Sequence, residues 1–141
     1  MKKVFDASSI FEIAKQADAA SLINGYTLSL TAIELGNILW KLTAITKDLT
    51  EKEADETRQI INKMLQTMNL QPGDNIDQET LEIASNHHIS YYDASYIKAA
   101  KSLNAELISE DKQLAKAAEI HGIPIHPSST HMRPSPERLT S

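Results

Sequence analysis

Four acidic residues lie at the ends of predicted secondary-structure elements, in positions that suit a divalent-cation site. Asp6 comes directly after a first apolar strand, and Glu34 lies in the first turn of the helix after the second strand. Asp93 starts a later helix, and Asp111 lies just past a short apolar strand. Carboxylates at the ends of alternating strands and helices can converge on one point, and their hard oxygen atoms suit Mg²⁺ and Mn²⁺. The pattern therefore predicts a metal site.

Each of these acids also suits an ordinary structural role. Asp6, Asp93 and Asp111 lie where an Asp commonly caps the N-terminus of a helix. Glu34 stands three residues after Thr31, which is the spacing of a capping box. Glu34 also flanks the apolar face of its helix, so we expect it to point partly inward. The four acids taken together favour a metal site over four unrelated caps.

The elements that must position these acids alternate along the chain. Periodicity and turn residues predict four strands and six helices. The strands cover 2–5, 26–30, 106–109 and the edge strand 123–126. The helices cover 8–24 with a break near 17–20, 31–45, 50–69, 78–87, 94–103 and 112–121. This order predicts an α/β fold with three layers, in which a mostly parallel sheet of four to five strands is covered by helices on both faces. In such sheets the site lies at the carboxyl ends of the strands.

The length and composition predict a single globular domain. The 141 residues suffice for one hydrophobic core, which we expect in 1–126, followed by a mobile tail rich in Pro, Ser and Thr in 127–141. The absence of cysteine excludes disulfides, thiolate metal ligands and a cysteine nucleophile. No apolar run approaches the roughly 20 residues of a membrane span, and no secretory signal precedes the first strand. We therefore expect a cytoplasmic protein.

The charge of the chain bears on nucleic-acid binding. A net charge of −5 counts against strong non-specific binding through surface cations, but not against an enzyme whose acids hold metal ions. Four lysines on the helices of Asp93 and Asp111 suit either an RNA backbone or a solvated face. They are Lys98, Lys101, Lys112 and Lys116.

Two further features concern histidines and a possible partner. The five histidines show no spacing typical of a metal site. His87 and His88 lie at the predicted C-terminal end of a helix, where a positive charge interacts favourably with the helix dipole. The helix after Thr31 is apolar on two sides, and its second stripe contains Trp40. Such a helix is either deeply buried or shared with a partner, so we expect a homodimer.

The motifs around the four acids resemble those of the PIN domain family, and especially its small VapC-type toxins. The resemblance covers about residues 2–125, with the motifs in the right order. They are Asp6-Ala-Ser8, Thr31-Ala-Ile-Glu34-Leu-Gly-Asn, Tyr92-Asp93-Ala-Ser-Tyr-Ile-Lys-Ala-Ala and Leu107-Ile-Ser109-Glu-Asp111. The likeness implies a PIN-like fold and a metal-dependent endoribonuclease that leaves a 5′-phosphate and a 3′-hydroxyl. It also implies dimerisation and inhibition by a small antitoxin.

The resemblance also implies roles for the individual residues. Asp6 and Asp93 would be direct or near-direct ligands of Mg²⁺ or Mn²⁺, and Asp111 would join them directly or through water. Glu34 would orient a metal-bound water for in-line attack on phosphorus. Two serines would position phosphate or support the carboxylates. These are Ser8 and Ser109, the latter at a position where the family often has threonine.

Two other functions are compatible with acids at strand ends. One is a receiver-like signalling domain that binds Mg²⁺, although such a domain needs paired acids early in the chain and a late lysine at a strand end. Asp6 has no acidic neighbour, and the late strand ends in Ser109-Glu-Asp111. The other is a non-catalytic PIN-like module that only binds partners, and the complete set of four acids argues against it.

Overall fold

The computed structural model describes residues 1–131, which form five short strands and six α-helices. The strands are β1 (Lys3–Phe5), β2 (Tyr26–Leu28), β3 (Asn69–Gln71), β4 (Glu106–Ile108) and β5 (Ile125–His126). The helices are α1 (Ala7–Lys15), α2 (Thr31–Trp40), α3 (Glu51–Gln66), α4 (Gln78–His87), α5 (Tyr91–Leu103) and α6 (Lys112–Ile120). A π-helical turn, Lys41–Ile45, continues α2, and 3₁₀ turns cover Ala19–Leu22 and Ser128–Thr130.

All neighbouring strands of the sheet are parallel, in the order β3-β2-β1-β4-β5. Val4 of the central strand β1 pairs with Tyr26 of β2 on one side and with Leu107 of β4 on the other. The carboxyl ends of β1 and β4 are therefore adjacent. As a result, the residues that follow them, beginning with Asp6 and Ser109, meet at one edge of the sheet.

The side chains of the strands alternate between two hydrophobic cores. Val4 and Leu107 point to the face covered by α4, α5 and α6, while Phe5 and Ile108 point to the face covered by α1, α2 and α3. This alternation is the period of two that a strand imposes. The protein is therefore a three-layer α/β/α structure, which confirms the predicted fold class.

Two elements differ from the sequence prediction. Strand β3 was not predicted, because it is a polar edge strand in which Asn69 and Leu70 are exposed and no apolar alternation marks it. Helix α1 ends at Lys15 because Ala17 adopts a left-handed conformation with φ of 53°. The break predicted near 17–20 is therefore a true helix end.

Asp6 and Asp111 cap helices as their positions suggested, whereas Asp93 and Glu34 do not form the predicted caps. Asp111 caps α6 by accepting hydrogen bonds from two backbone amides, and Asp6 caps α1. Leu30 precedes α2 without a side-chain cap, so Thr31 and Glu34 form no capping box. Ser90 caps α5, so that Asp93 lies in its first turn instead of before it. The sequence Ser-Tyr-Tyr-Asp has the spacing of a capping box, which indicates this earlier start of the helix.

The second apolar stripe of α2 and the start of the C-terminal segment lie at the surface. The Ile33 side chain is 77% exposed and that of Trp40 is 53% exposed, so α2 is not buried on both sides. Ser128 is buried and the backbone N–H of Ser128 donates to Glu110 Oε1. The predicted tail thus begins with a folded turn, and residues 132–141 lie outside the described part. Within residues 1–131, no helix is long and apolar enough to cross a bilayer.

Candidate metal centre

Asp6 is buried at the carboxyl end of β1 and three serines hold its carboxylate. Oδ1 accepts hydrogen bonds from Ser8 Oγ at 2.8 Å and from the backbone N–H of Ser9 at 2.9 Å, and Oδ2 accepts one from Ser109 Oγ. A carboxylate offers about four lone-pair directions, and three are used here. One direction, on Oδ2, is left for a further ligand.

The two supporting serines are themselves oriented by the loop between β4 and α6. The backbone N–H of Glu110 donates to Ser8 Oγ at 3.2 Å, and that of Asp111 donates to Ser109 Oγ at 3.0 Å. Each hydroxyl therefore accepts from the loop and donates to Asp6. Burial raises the pKa of Asp6, and the hydrogen bonds from Ser109, Ser9 and Ser8 oppose that rise.

Glu34 is tied to the core through a chain of hydroxyl groups. Four links lead from Glu34 Oε1 to Tyr96 Oη, to Thr31 Oγ1, to Thr27 Oγ1 and to the carbonyl oxygen of Phe5. Their lengths in this order are 2.8, 2.7, 2.9 and 2.7 Å. The chain joins α2 and α5 to the strand that carries Asp6, and it fixes the position of the Glu34 carboxyl group.

This series of hydrogen-bonded hydroxyl groups has one proton too few when Glu34 is ionised. The four links need four protons, and the hydroxyls of Thr27, Thr31 and Tyr96 supply three. When Tyr96 donates to Glu34, the single proton of Thr31 must serve two links. A protonated Glu34 supplies the missing proton. Burial raises the pKa of Glu34, with repulsion from Asp93 and Asp6 adding to the rise against the Tyr96 hydrogen bond, and this agrees with the proton count.

Asp93 and Asp111 complete the group of acids. Burial raises the pKa of Asp93, and repulsion from Asp111 and Asp6 raises it further. Asp111 Oδ1 accepts from the backbone N–H groups of Gln113 at 2.8 Å and Leu114 at 3.2 Å. Asp111 can therefore cap α6 and also belong to the acidic group, because the cap uses only one of its two carboxylate oxygens.

The four acids lie near enough to repel one another, but their carboxylates do not converge on a single point. Glu34 and Asp93 each interact unfavourably with Asp6, and Asp93 also does so with Asp111. Within residues 1–131, however, no three His, Asp or Glu side chains stand close enough to ligate one ion. Carboxylates without a counter-charge repel, which opposes closer approach.

The donor set nevertheless suits a hard cation. Every candidate ligand atom is a carboxylate oxygen, and Mg²⁺ commonly binds one or two carboxylates and keeps several waters. Asp6 and Asp93 are the residues best placed to hold such an ion, since Asp6 has a free lone-pair direction and Asp93 is repelled by two other acids. We therefore treat the group as a candidate site that a cation would draw together.

Two of the four lysines that suit either an RNA backbone or a solvated face take part in ion pairs. Lys98 Nζ lies 2.6 Å from Glu79 Oε2, and Lys101 Nζ lies 2.5 Å from Glu79 Oε1. The hydrogen bonds from these two lysines lower the pKa of Glu79 to about 2. Because both ammonium groups are engaged by Glu79, they suit a solvated face better than a phosphate contact. Lys112 and Lys116 are exposed on α6 beside Asp111.

A cavity of about 490 Å³ is formed by residues other than the four acids. It is lined by Leu30 and Ile33, which flank the start of α2, and by Tyr91, Ser95 and Lys98 of α5. None of the four acids lines this cavity. The acidic group therefore lies outside this cavity.

Tyr96 and Thr31 were missed as site residues by sequence reasoning. Both looked like ordinary members of helices, and their partners lie far away in sequence. Tyr96 stands 65 positions from Thr31 and 62 from Glu34. The one available signal was a hydroxyl on the same helix face as an acid, and this is too common to single out a residue.

The fold and the site define a class of protein, namely a three-layer α/β/α domain with one buried and three half-buried acids grouped near the carboxyl edge of a parallel sheet. The profile of the PIN domain family matches residues 3–120. Ribonuclease VapC3 of Pyrobaculum aerophilum is 30% identical over 124 residues, which cover 82% of this chain and 94% of that protein. The chain therefore belongs to the PIN domain family, as the motifs around the acids predicted. Membership of this family excludes the receiver-like signalling domain.

A solved structure gives independent support for the fold. The crystal structure of PAE2754 from Pyrobaculum aerophilum superimposes with a TM-score of 0.76 at 24% sequence identity. The match covers 92% of this chain and 85% of that one. At this level of identity, the likeness concerns the arrangement of strands and helices.

Proposed function

We propose that this chain is a ribonuclease that needs Mg²⁺ or Mn²⁺, hydrolyses phosphodiester bonds of RNA, and acts as the toxin of a toxin–antitoxin pair. The observation that carries the proposal is the grouping of Asp6, Glu34, Asp93 and Asp111 near the carboxyl ends of β1 and β4. Ser109 links Asp6 to the loop of Asp111, Tyr96 links Glu34 to the helix of Asp93, and repulsion among the acids agrees with this grouping. Family membership and the likeness to a protein named as a ribonuclease support the same reaction. A cytoplasmic location is part of this proposal.

The residues of the chain would divide the work between holding the ion and handling a proton. A bound divalent cation supplies charge for the phosphate and lowers the pKa of a bound water. Asp6 offers the remaining lone pair of Oδ2, while Asp93 and Asp111 supply further negative charge beside it. Ser8 and Ser109 keep Asp6 from rotating, because each is fixed by a loop amide.

Glu34 would orient the attacking water. Tyr96 holds Oε1, so Oε2 is the oxygen left to accept a hydrogen bond from that water. The raised pKa of Glu34 suits the uptake of the proton that the water releases, since a carboxylate with a higher pKa is a stronger base. A cation held beside Asp93 would relieve the repulsion that opposes ionisation of Glu34.

Cleavage of labelled RNA oligonucleotides tests this proposal. The wild-type chain should cleave with Mn²⁺ or Mg²⁺ and lose activity in a chelator. Asp6→Asn and Asp93→Asn should each reduce the rate by at least about 100-fold, since removal of one transition-state electrostatic partner typically has this effect. Asp74→Asn, at an exposed acid between β3 and α4, is the matched control. Metal-dependent cleavage that survives in both site variants would disprove the proposal.

The proposal extends to two protein partners, namely a second copy of the chain and a small antitoxin. The exposed apolar side chains of Ile33 and Trp40 on α2 are the surface feature that supports a partner. Sedimentation at micromolar concentration should give a dimer, and a monomer would refute that part. Co-expression with the small protein encoded beside it should abolish cleavage, and undiminished cleavage would refute the antitoxin.

A non-catalytic PIN-like module is the second candidate function. The observation in its favour is that no three acids or histidines within residues 1–131 already converge on one point. Calorimetric titration separates the two candidates. Heat on addition of Mn²⁺ that disappears in Asp93→Asn supports the ribonuclease, while the absence of any heat in the wild-type chain supports the binding module.

A further inference from the structure

His87 and His121 face each other through their Nε2 atoms. The two atoms lie 2.9 Å apart, and the rings meet edge to face with centroids 5.0 Å apart at 69°. His87 is the last residue of α4 and His121 is the C-cap of α6, so the pair joins two helices that α5 separates. Both side chains are half-buried, which leaves solvent access to the contact.

The contact between two Nε2 atoms needs a proton or a metal ion between them. If each imidazole carries its proton on Nδ1, both Nε2 lone pairs face each other and repel. A single shared proton on one Nε2 relieves the repulsion, and a metal ion between the two nitrogens does the same. Two protonated rings cannot keep this contact, because two N–H groups would then meet head to head.

The two nitrogens lie close to the separation of two zinc ligands. The observed 2.9 Å is the length of an ordinary N–H···N hydrogen bond, and the centroid distance of 5.0 Å shows that the two Nε2 atoms point almost directly at each other. Histidine nitrogens bind Zn²⁺ at about 2.0–2.1 Å, so two ligands in tetrahedral coordination lie about 3.3 Å apart. A small outward rotation of either ring supplies the difference.

The surroundings of the pair favour a cation. Helices α4 and α6 both present their C-terminal ends here, where unpaired carbonyl groups carry partial negative charge. Burial lowers the pKa of His121, and His87 and Lys101 lower it further, so the imidazole is neutral and can bind a metal at pH 7. Lys101 is the one lysine among the groups that act on His121, and its Nζ lies 2.5 Å from Glu79 Oε1. Glu79 in turn raises the pKa of His121 and so opposes the effect of Lys101.

We propose that His87 and His121 form a second metal site, separate from the acidic centre, that binds a transition-metal ion preferred by imidazole, such as Zn²⁺ or Ni²⁺. Water completes the coordination, because the protein supplies two ligands. The bound ion clamps the end of α4 to the end of α6 across α5, the helix that carries Asp93. The spacing of histidines along the sequence gave no indication of this site, since its ligands lie 34 positions apart.

The test uses the full chain at pH 7.5 with excess Mg²⁺, so that the acids do not compete for the probe. Long-range ¹H–¹⁵N NMR spectra follow the imidazole nitrogens while Zn²⁺ is added. The Nε2 signals of His87 and His121 should move together, and those of His126 and His131 should not. At pH 5.5, where protons compete for the same atoms, the response should weaken at least tenfold.

Variants provide the second arm of the test. His87→Gln and His121→Gln should each weaken Zn²⁺ affinity at least tenfold and abolish the Zn²⁺-induced rise in melting temperature. His88→Asn is the matched control, because this exposed neighbour has a φ of 52° that Asn tolerates, and it should retain the full response. If either Gln variant fails to fold, the pH comparison on the wild-type chain decides.

Two results would overturn the proposal. The first is an unchanged Zn²⁺ response in His121→Gln. The second is a wild-type spectrum in which millimolar Zn²⁺ leaves both Nε2 signals in place, because the pair is then a hydrogen-bonded clasp only.

Discussion

Tyr96 Oη lies 2.8 Å from Glu34 Oε1, and 2.7 Å from Thr31 Oγ1 on its other side. One buried phenol thus connects an acid of the candidate site to the hydroxyl chain that ends at Phe5. Because the chain holds one proton too few for an ionised Glu34, the protonation of this acid and the order of the core are coupled.

Tyr96→Phe should therefore move the pH dependence of RNA cleavage. The Tyr96 hydrogen bond lowers the pKa of Glu34, so its loss raises that pKa and shifts the acidic limb of the rate profile to higher pH. Stability should fall by about 1–3 kcal/mol, because Thr31 loses a buried partner. Tyr92→Phe, at a side chain that is 58% exposed, is the control. An unchanged acidic limb in Tyr96→Phe would contradict the proposed link.

Ser109→Ala should weaken the binding of Mn²⁺. The Ser109 hydroxyl is the strongest of the hydrogen bonds that oppose the rise in the pKa of Asp6, so its removal favours the protonated carboxyl group. Loss of such a supporting group typically lowers metal affinity by about 10–100-fold. Calorimetric titration measures the affinity. Ser109→Thr keeps the hydroxyl and should stay within about threefold of the wild type, and equal losses in both variants would count against this explanation.

Asp93→Asn should stabilise the metal-free protein at neutral pH. The pKa of Asp93 is raised in the folded state, so the folded chain keeps its proton while the unfolded chain loses it. The contribution of Asp93 to the free energy of unfolding of the wild type is therefore complete below the ordinary Asp pKa range. It is lost as pH rises through the raised pKa of Asp93. At pH 7 we expect the variant to melt about 2–5 °C higher, with no difference below about pH 3.5.

Addition of Mn²⁺ should reverse the order of the two melting temperatures, so that the wild type melts above Asp93→Asn. Binding to the folded state alone raises the melting temperature of the wild type, and the variant lacks a main ligand. Asp74→Asn should melt like the wild type throughout. A metal-free Asp93→Asn that melts below the wild type at pH 7 would show that the acids do not repel as proposed.

The start of the C-terminal segment should contribute to stability. Ser128 is buried, and the His131 ring meets the Phe5 ring edge to face with centroids 5.0 Å apart. Truncation after His126, the domain end predicted from sequence, should therefore lower the melting temperature by several degrees more than truncation after His131. Equal melting temperatures would place the end of the domain at 126.

Local patterns predicted the fold well, and contacts between distant segments limited the prediction of the site. The capping box at Thr50 and the cap at Asp111 were found because their signals lie within a few residues. Strand β3 has polar, exposed residues at an edge and therefore carries no such signal. The partners of Tyr96 and of His87 became visible only once folding had brought separate helices together.

The position of Mn²⁺ in crystals soaked with this ion tests the central claim most directly, because its anomalous scattering locates it without assumptions. We expect a peak within ligand distance of Asp6 Oδ2 and an Asp93 carboxylate oxygen, with Asp111 in the same coordination sphere directly or through water. Crystals soaked to saturation with Mn²⁺ that show no peak among Asp6, Glu34, Asp93 and Asp111 would contradict the proposed metal site.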